Sequence, residues 1–267
     1  MALNYLEIKQ YISASRLLNY EAVCGGNTNK VIKLYHTNLR LSQAFYPLLS
    51  LTEVILRNAI NEKLTNHFAD PNWLTNQQSG FMSDALLSYR ASGTNRMVHN
   101  HFLKKSVAKS ISGARGTATQ GKIIADLKFG FWTALFDNTH YSILLGVPIQ
   151  IFSNLPPGAN RNNVHQTLIR INKFRNRVYH NEPIIFDEDS AGNAIFSLTS
   201  SKNIYKDIQE IFSWLDLDFN QWTKSINNII FEIERAECMM KTYPSNQYYF
   251  NRISIGIKHY SNKYLKN

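Results

Sequence analysis

Residues 164–183 read "VHQTLIRINKFRNRVYHNEP" and carry the strongest periodic pattern in the chain. Apolar residues recur there every three or four positions, which is typical of an amphipathic helix. Pro183 ends this helix, because the residue before a proline avoids helical backbone angles. We therefore predict a motif helix over about residues 160–182. Its apolar stripe consists of Val164, Leu168, Ile171, Phe174 and Val178.

Arg175 falls inside this apolar stripe, at about 100° from Phe174 when each residue turns the helix by 100°. A guanidinium is costly to bury alone, so Arg175 is expected to meet a carboxylate, line a cleft or face a subunit interface. His180 lies about 140° from Arg175 on the same helix. Either the helix end distorts before Pro183, or a second helix or subunit completes a site. The simpler alternative for His180 is a surface residue at a helix C-terminus.

The composition is that of a globular protein with an excess of positive charge. The chain has 267 residues, of which 44% are hydrophobic and 12% aromatic, enough for one large domain or a domain with an appendage. Twenty-nine Lys and Arg residues against nineteen Asp and Glu give a net charge of +10. This excess favours a polyanionic partner, either nucleic acid or an acidic membrane surface.

The positive charge is concentrated in two segments without acidic residues, one from Ala85 to Ala125 and one after Glu237. Both suit contact with a phosphate backbone, although basic helices that face water are the alternative. The basic residues of the first segment are Arg90, Arg96, Lys104, Lys105, Lys109, Arg115 and Lys122. Those of the second are Lys241, Arg252, Lys258, Lys263 and Lys266.

Several classes of protein are disfavoured by the sequence. Cys24 and Cys238 are too few for a metal cluster and are typical of intracellular thiols. Charges near the N-terminus interrupt the apolar run that a signal peptide needs. No apolar stretch is long enough to span a bilayer. We expect a cytoplasmic protein without a membrane anchor, metal or cofactor.

The rest of the chain predicts a mainly α fold. "PIIFDEDSAGNAIFSL" has two short β-prone runs around a turn, which predicts a small hairpin near residues 184–198. The tail mixes aromatic and basic residues without a clear period. Helices are predicted through "LRLSQAFYPLLSLTEVILRNAINEKL" at 39–64, which "DPNW" at 70–73 stops, near 95–112, through "KIIADLKFGFWTALF" at 122–136, and near 202–214 and 218–240.

Five short segments, taken in order, resemble one protein family. They are "SASRLLNY" at 13–20, "LYHTNLRLSQAF" at 34–45, "LTEVILRNAINEKL" at 51–64, "IIADLKFGFWTALF" at 123–136 and "FRNRVYHNEPI" at 174–184. In this order they are similar to the Abi-like (abortive infection) proteins of bacteria, within the HEPN superfamily. The resemblance covers most of the first 185 residues and fades after about residue 190.

The resemblance implies a HEPN-like helical bundle with additional helices. The HEPN domain would span residues 1–190, and residues 191–267 would form a helical extension with a basic aromatic tail packed on the same domain. Proteins similar to this one are metal-independent endoribonucleases that act as dimers, with two motifs meeting at the subunit interface. Their signature of Arg, a polar residue and a later His falls on Arg175, Asn176 and His180.

The implied reaction uses the 2′-hydroxyl of RNA as the nucleophile. His180 would act as general acid or base, because histidine titrates near neutral pH. Arg175 would stabilise the phosphate and the transition state, and Asn176 would orient the histidine or the phosphate. The expected products carry a 2′,3′-cyclic phosphate, or its hydrolysed form, and a 5′-hydroxyl.

Further residues are expected to support this site. Glu53 and Arg57 lie one helical turn apart, so either they form a simple ion pair or Glu53 holds Arg175 or Arg57 at the site. His99 and His101 lack a nearby carboxylate and are read as part of a basic helix rather than as metal ligands. Contacts with the RNA backbone are predicted for Lys173, Arg177, Arg170, Lys104, Lys105 and Arg115.

Three functions remain open at this stage. The first is a HEPN endoribonuclease of an abortive-infection or toxin–antitoxin system, with RNA as substrate and a small structured RNA as antitoxin or guide. The second is a non-catalytic RNA-binding protein that holds a small structured RNA in a defence ribonucleoprotein. The third is a protein-interaction component that senses infection.

Overall fold

The protein is mainly α-helical, with two short antiparallel hairpins, in a computed structural model that describes residues 4–265. The predicted mainly α class is confirmed at this level. None of the described helices is both long and apolar enough to cross a membrane. Lys266 of the basic tail lies outside the described residues.

Thirteen α-helices follow one another within residues 4–265. They are α1 (Tyr5–Ile12), α2 (Ala14–Val23), α3 (Thr28–Phe68), α4 (Trp73–Asn76), α5 (Phe102–Gly113), α6 (Gln120–Asp126), α7 (Phe129–Ala134), α8 (Asn138–Ile143), α9 (Arg161–Tyr179), α10 (Thr199–Trp214), α11 (Phe219–Thr223), α12 (Ile229–Thr242) and α13 (Asn246–Tyr260). A π-helical turn, Ser261–Leu265, continues α13, and short 3-10 segments lie at Phe81–Ser83, Ala85–Leu87 and Val147–Ile151.

Each hairpin joins two three-residue strands. The first pairs β1 (Ser88–Arg90) with β2 (Met97–His99), and the second pairs β3 (Phe186–Glu188) with β4 (Ala194–Phe196). The hairpin predicted near residues 184–198 is thereby confirmed.

The turn of the second hairpin is built around one carboxylate. Asp189 Oδ1 accepts hydrogen bonds from the backbone N–H groups of Ala191 and Asn193, at 2.9 and 2.8 Å. The backbone N–H of Asn193, and next its side chain, donate hydrogen bonds to Asp189 and hold the pKa of this carboxyl below its usual range. Gly192 supplies the left-handed conformation of the turn, with φ of 81°.

The end of α3 agrees with the prediction at "DPNW". This helix stops at Phe68, and Asp70 Oδ1 then accepts a hydrogen bond from the N–H of Asn72 at 2.8 Å. Such a local side-chain contact replaces the helical hydrogen bonds that the chain gives up.

The helix predicted near 95–112 begins later than expected. Residues 97–99 form strand β2 instead, and α5 starts at Phe102. A turn with Gly93 at φ of 76° reverses the chain and pairs Tyr89 with Val98. Pairing of β1 with β2 therefore replaces the first turns of the predicted helix.

The helix predicted through 122–136 is in fact two helices, α6 and α7. Leu127 between them has an extended backbone, with ψ of 123°, and its side chain is buried. Phe129 and Trp132, which follow in α7, are also buried. A continuous helix would keep a single direction, whereas the break at Leu127 lets both segments bury apolar side chains.

Two further differences lie near the C-terminus. The helix predicted over 218–240 is interrupted, because the N–H groups of Ile226 and Asn227 both donate to the Thr223 carbonyl, at 2.9 and 2.8 Å, and close a turn between α11 and α12. The tail, in which no period is predicted, forms the fifteen-residue helix α13.

The chain divides into two compact units. The first comprises residues 4–49, 174–208 and 219–265. Within it, Tyr20 meets Phe186 edge to face at 4.8 Å, and Phe45 meets Phe174 in the same way at 4.8 Å. Burial raises the pKa of Tyr20 above its ordinary value.

The second unit comprises residues 50–173 and 209–218. Its core includes Trp73, which is fully buried and whose Nε1 donates to Asn61 Oδ1 at 3.0 Å. Phe152 and Trp214 meet edge to face at 5.8 Å. The hydrogen bond of the indole satisfies the polar group that a buried tryptophan brings into the core.

In the first unit, the backbone N–H and carbonyl of Ile184 both form hydrogen bonds with buried polar side chains. The N–H of Ile184 donates to Asn38 Oδ1, and the Ile184 carbonyl accepts from Ser201 Oγ, both at 2.8 Å. Asn38 and Ser201 are themselves buried. These contacts fix the segment that leads from α9 to the hairpin.

We expect Asn38→Leu to reduce the free energy of unfolding by about 1–3 kcal/mol, because it leaves the buried N–H of Ile184 without an acceptor. Urea denaturation measures this difference. Asn29→Leu, an exposed position on the same helix, is the control and should change stability little. Equal stabilities for the two variants would contradict the role given to Asn38.

Candidate functional site at the end of helix α9

The backbone of α9 stays helical through His180, whose N–H donates to the Asn176 carbonyl at 2.9 Å. Asn181 then adopts a left-handed conformation with φ of 55°. The N–H groups of Asn181 and Glu182 donate back to carbonyls of the last turn, at 3.2 and 2.8 Å. This pair of hydrogen bonds is a Schellman ending, and asparagine is one of the residues that adopt its left-handed position at low cost.

Two guanidinium groups satisfy carbonyls just beyond this ending. Arg16 of α2 donates from Nη1 to the Asn181 carbonyl at 2.9 Å. Arg177 donates from Nη2 to the Pro183 carbonyl. Positive charge at a helix C-terminus is favourable, because the last carbonyls carry partial negative charge. Arg16 from α2 and Arg177 from α9 therefore both stabilise the segment that directly follows the motif helix.

The Arg175 side chain is half-buried and packs along its own helix. Its guanidinium carbon lies 3.9 Å from the centre of the Tyr179 ring, one turn further along. Its Nη1 donates to Asn176 Oδ1 at 3.3 Å. A cation over an aromatic face contributes on the order of 0.5–1 kcal/mol at such a site. These contacts hold the guanidinium plane in one orientation.

Tyr179 also contacts Tyr46 of α3. The two rings are stacked, with centroids 4.8 Å apart and planes 21° apart. Tyr46 remains 52% exposed, so the stack reaches solvent. Arg175, Tyr179 and Tyr46 thus form a continuous set of planar groups beside the motif.

His180 is exposed at the end of the helix. Because the backbone is regular up to this residue, Arg175 and His180 still lie about 140° apart around the axis. The left-handed residue comes after His180, so the distortion of the helix end does not bring the two side chains together. A single regular helix therefore does not bring Arg175 and His180 to one site.

A cavity of about 610 Å³ lies beside the helix end in the first unit. Its lining has a single cationic side chain, Arg177, and three carboxylates, from Glu182, Asp187 and Glu188. A phosphate backbone would be repelled by this lining. An RNA strand is therefore expected to approach the motif from outside the cavity.

Glu53 and Arg57, the predicted supporting residues, are half-buried on α3 within the second unit. Arg57 Nη1 lies 3.5 Å from the Ala125 carbonyl, at the limit of a hydrogen bond. Both interpretations of this pair, ion pair or support of the site, stay predictions.

The residues predicted to contact RNA differ in their surroundings. Lys104 is half-buried and donates from Nζ to Ser83 Oγ at 2.9 Å. Arg170 is exposed and donates from Nη2 to Thr167 Oγ1 at 3.0 Å. The side chains of Lys105, Arg115 and Lys173 are exposed.

His99 and His101 lie next to each other, with ring centroids 4.4 Å apart. Desolvation of the His101 ring lowers the pKa of His101, and the nearby His99 lowers it further. Among residues 4–265, no group of three or more His, Cys, Asp or Glu side chains has an arrangement that could hold a metal ion.

The sequence does not predict the roles of three residues that contact the motif or the segment after it. Tyr179 follows Arg175 by four residues, and this helical spacing is a signal that could have identified it. Arg16 lies in a segment of the family resemblance, but its contact with the Asn181 carbonyl depends on the fold. Nothing in the sequence connects Tyr46 with α9.

Comparison with known proteins finds no matching family model, no matching curated protein and no matching solved structure. The end of α9 combines an exposed histidine with an oriented arginine on a mainly α protein.

We expect the free energy of unfolding of Asn181→Val to fall by about 1–2 kcal/mol, because a β-branched residue resists the left-handed conformation. Asn181→Gly should match or slightly exceed the wild type, because glycine adopts this conformation without strain. Chemical denaturation compares the two variants. If they were equally stable, the positive φ of Asn181 would not be what ends α9.

Proposed function

We propose that this protein is a metal-independent endoribonuclease of the HEPN superfamily, active in a bacterial abortive-infection or toxin–antitoxin system. The observation that carries the proposal is the end of α9, where His180 is exposed while Tyr179 and Asn176 orient the Arg175 guanidinium. RNA cleavage through the 2′-hydroxyl needs stabilisation of the phosphorane charge and transfer of protons, and an arginine and a histidine can perform these two tasks.

In the proposed reaction, one histidine removes the proton of the 2′-hydroxyl, and the 2′ oxygen attacks the adjacent phosphorus. The bond between phosphorus and the 5′ oxygen then breaks, and a second histidine protonates the leaving oxygen. Arg175 stabilises the additional negative charge on the phosphorane, as preorganised donors do in other phosphoryl transfers. Asn176 holds Arg175 in position. The RNA supplies the nucleophile, so this chemistry needs no metal activator.

The proposed enzyme is a homodimer in which the two motifs meet. The 140° between Arg175 and His180 supports this arrangement, because a two-fold axis can place Arg175 of one copy beside His180 of the other. Lys173, Arg177, Arg170, Lys104, Lys105 and Arg115 are proposed to contact the RNA backbone, and Glu53 and Arg57 to support the motif.

His180→Ala should reduce RNA cleavage by about 10²–10⁴-fold, because it removes the general acid and base. Arg175→Ala should reduce it by about 10²–10³-fold through loss of charge stabilisation. The assay uses protein freed of bound nucleic acid, in excess EDTA, and analyses the RNA ends. Wild-type products should carry 5′-hydroxyl groups.

His67→Ala is the matched control, since His67 is also an exposed histidine in the last turn of a helix. It should cleave RNA as the wild type does. Equal cleavage by His180→Ala and His67→Ala would show that a different group, or a contaminating nuclease, performs the reaction.

The shared site can be tested with heterodimers isolated by two different affinity tags. A heterodimer of Arg175→Ala and His180→Ala should keep part of the wild-type activity, because one Arg–His pair across the two-fold axis stays intact although only one of the two histidines remains. A heterodimer of wild type and the Arg175→Ala/His180→Ala double variant should be inactive, because each pair across the axis has lost one member. The opposite pattern of activities would place each Arg–His pair within one copy.

The alternative function is non-catalytic binding of a small structured RNA. The exposed Lys105 and Arg115 in a segment without acidic residues favour it. RNA that is bound by the wild type with a strong salt dependence, but never cut, would support this alternative over the enzyme.

A further inference from the structure

Helix α13 presents a stripe of large apolar side chains to solvent. Each of the five is between 57% and 70% exposed. They are Phe250, Ile253, Ile257, Tyr260 and Tyr264, and we call them the α13 stripe. Single exposed apolar residues are ordinary on a protein surface, but a contiguous row of five is typical of an interaction site.

The members of the α13 stripe follow each other by three, four, three and four residues. At 100° per residue they fall within about 80° of the helix circumference. Tyr264 belongs to the π-helical turn, and its ring lies 5.1 Å from that of Tyr260, so the row continues to this residue. Alternation of three and four is the spacing at which two helices pack side by side.

The opposite face of α13 packs within the first unit. Tyr248 is 3% exposed and meets Tyr243 edge to face at 5.2 Å. His259 stacks on Phe231 of α12 with centroids 4.2 Å apart. The helix is thus fixed in place, with the α13 stripe on its outer side.

Two lysines of α13 and the turn that follows it are engaged with the body of the protein. Lys258 Nζ lies 2.7 Å from Glu234 Oε1, and Lys263 Nζ donates to Asn228 Oδ1 at 2.8 Å. The positions that flank the α13 stripe include Ser254, Gly256 and Ser261, which are small and uncharged. An anionic partner would need cations at these margins. Two copies of the stripe can meet there without repulsion, although the chain carries a charge of +10.

We infer that the α13 stripe binds the same stripe of a second copy of this chain, about a two-fold axis that passes near Ile257. The row is nearly symmetric about Ile257, so antiparallel pairing places Phe250 against Tyr264 and Ile253 against Tyr260. Each contact then occurs twice, as a two-fold interface requires. This inference does not depend on the proposed ribonuclease activity.

The area of the α13 stripe is sufficient for a specific, modest interface. Large apolar side chains bury roughly 150–250 Å² each, so five that are more than half exposed leave on the order of 500 Å² per copy. A pair of copies would bury about 1,000 Å², near the lower limit for a specific interface. We expect a reversible dimer rather than an obligate one.

Sedimentation of the full chain tests the inference. Ile253→Asp/Ile257→Asp should halve the mass of the assembly seen for the wild type, because four buried charges per pair cannot be neutralised. Leu18→Asp, an exposed apolar position of the same unit, should keep the wild-type mass. Unchanged mass in the α13 variant, or a monomeric wild type, would overturn the inference.

Cross-linking tests the same interface without a charged substitution. Ile257→Cys treated with a short bifunctional maleimide should give a covalent dimer, because the two thiols face each other near the axis. Leu18→Cys and the wild type, whose Cys24 and Cys238 are buried, should give none. No cross-linked dimer from Ile257→Cys would refute the two-fold pairing.

Two other partners of the α13 stripe, an anionic membrane surface and RNA, are tested with the same variant. Binding of wild-type protein to phosphatidylserine vesicles, lost in Ile253→Asp/Ile257→Asp, would assign the stripe to a membrane surface and overturn self-association. Loss of RNA binding in that variant, at unchanged assembly mass, would overturn it in favour of nucleic acid. RNA cleavage by His180 is measured separately, so failure of one proposal does not imply failure of the other.

Discussion

The left-handed conformation of Asn181 is the constraint on which the first unit depends. It follows His180 directly, closes the turn beyond the last residue of α9, Tyr179, and precedes a carbonyl that the Arg16 guanidinium binds. A residue that resisted positive φ would lengthen the helix or strain the turn, and both changes would move His180. The same turn delivers Ile184 to Asn38 and Ser201, so the hairpin and the motif are positioned by one backbone angle.

A regular helix end has a chemical consequence for the motif. It holds Arg175 and His180 in fixed directions that diverge by about 140°, which no rotation of a single side chain can remove. The Tyr179 ring further restricts the guanidinium. Rigid positioning of this kind benefits catalysis only if a partner surface supplies the missing group, because preorganised groups must converge on one phosphate. Rigidity and incompleteness together explain why a second copy is part of the proposed mechanism.

The sequence predicts those parts of the fold in which a local pattern matches the tertiary environment. The apolar stripe of α9 and the Asp/Gly turn of the hairpin are such cases, and both were predicted correctly. The extended backbone at Leu127 and the strand at residues 97–99 depend on packing that no local period reveals.

Helix α13 was missed for a related reason. One of its faces packs on the protein while another exposes apolar side chains, and polar residues such as Asn251 and Lys258 lie between them, so no single apolar stripe marks the buried side of the helix. At the motif, the family resemblance, and not the spacing of the residues, points to Arg175 and His180. The contact of Tyr46 with Tyr179 joins residues far apart in the chain, and only the fold brings them together.

Association and chemistry require different surfaces in the proposed dimer. The interface at which two arginines and two histidines meet gains little free energy from its polar contacts. Repulsion between like charges further weakens it. Such an interface cannot hold two copies of a strongly basic chain together by itself. Burial of apolar area must supply the affinity, at roughly 25 cal/mol per Å² before the costs of association. The α13 stripe offers this area on the unit that carries the motif, which leaves the polar end of α9 available for the proposed binding and cleavage of RNA.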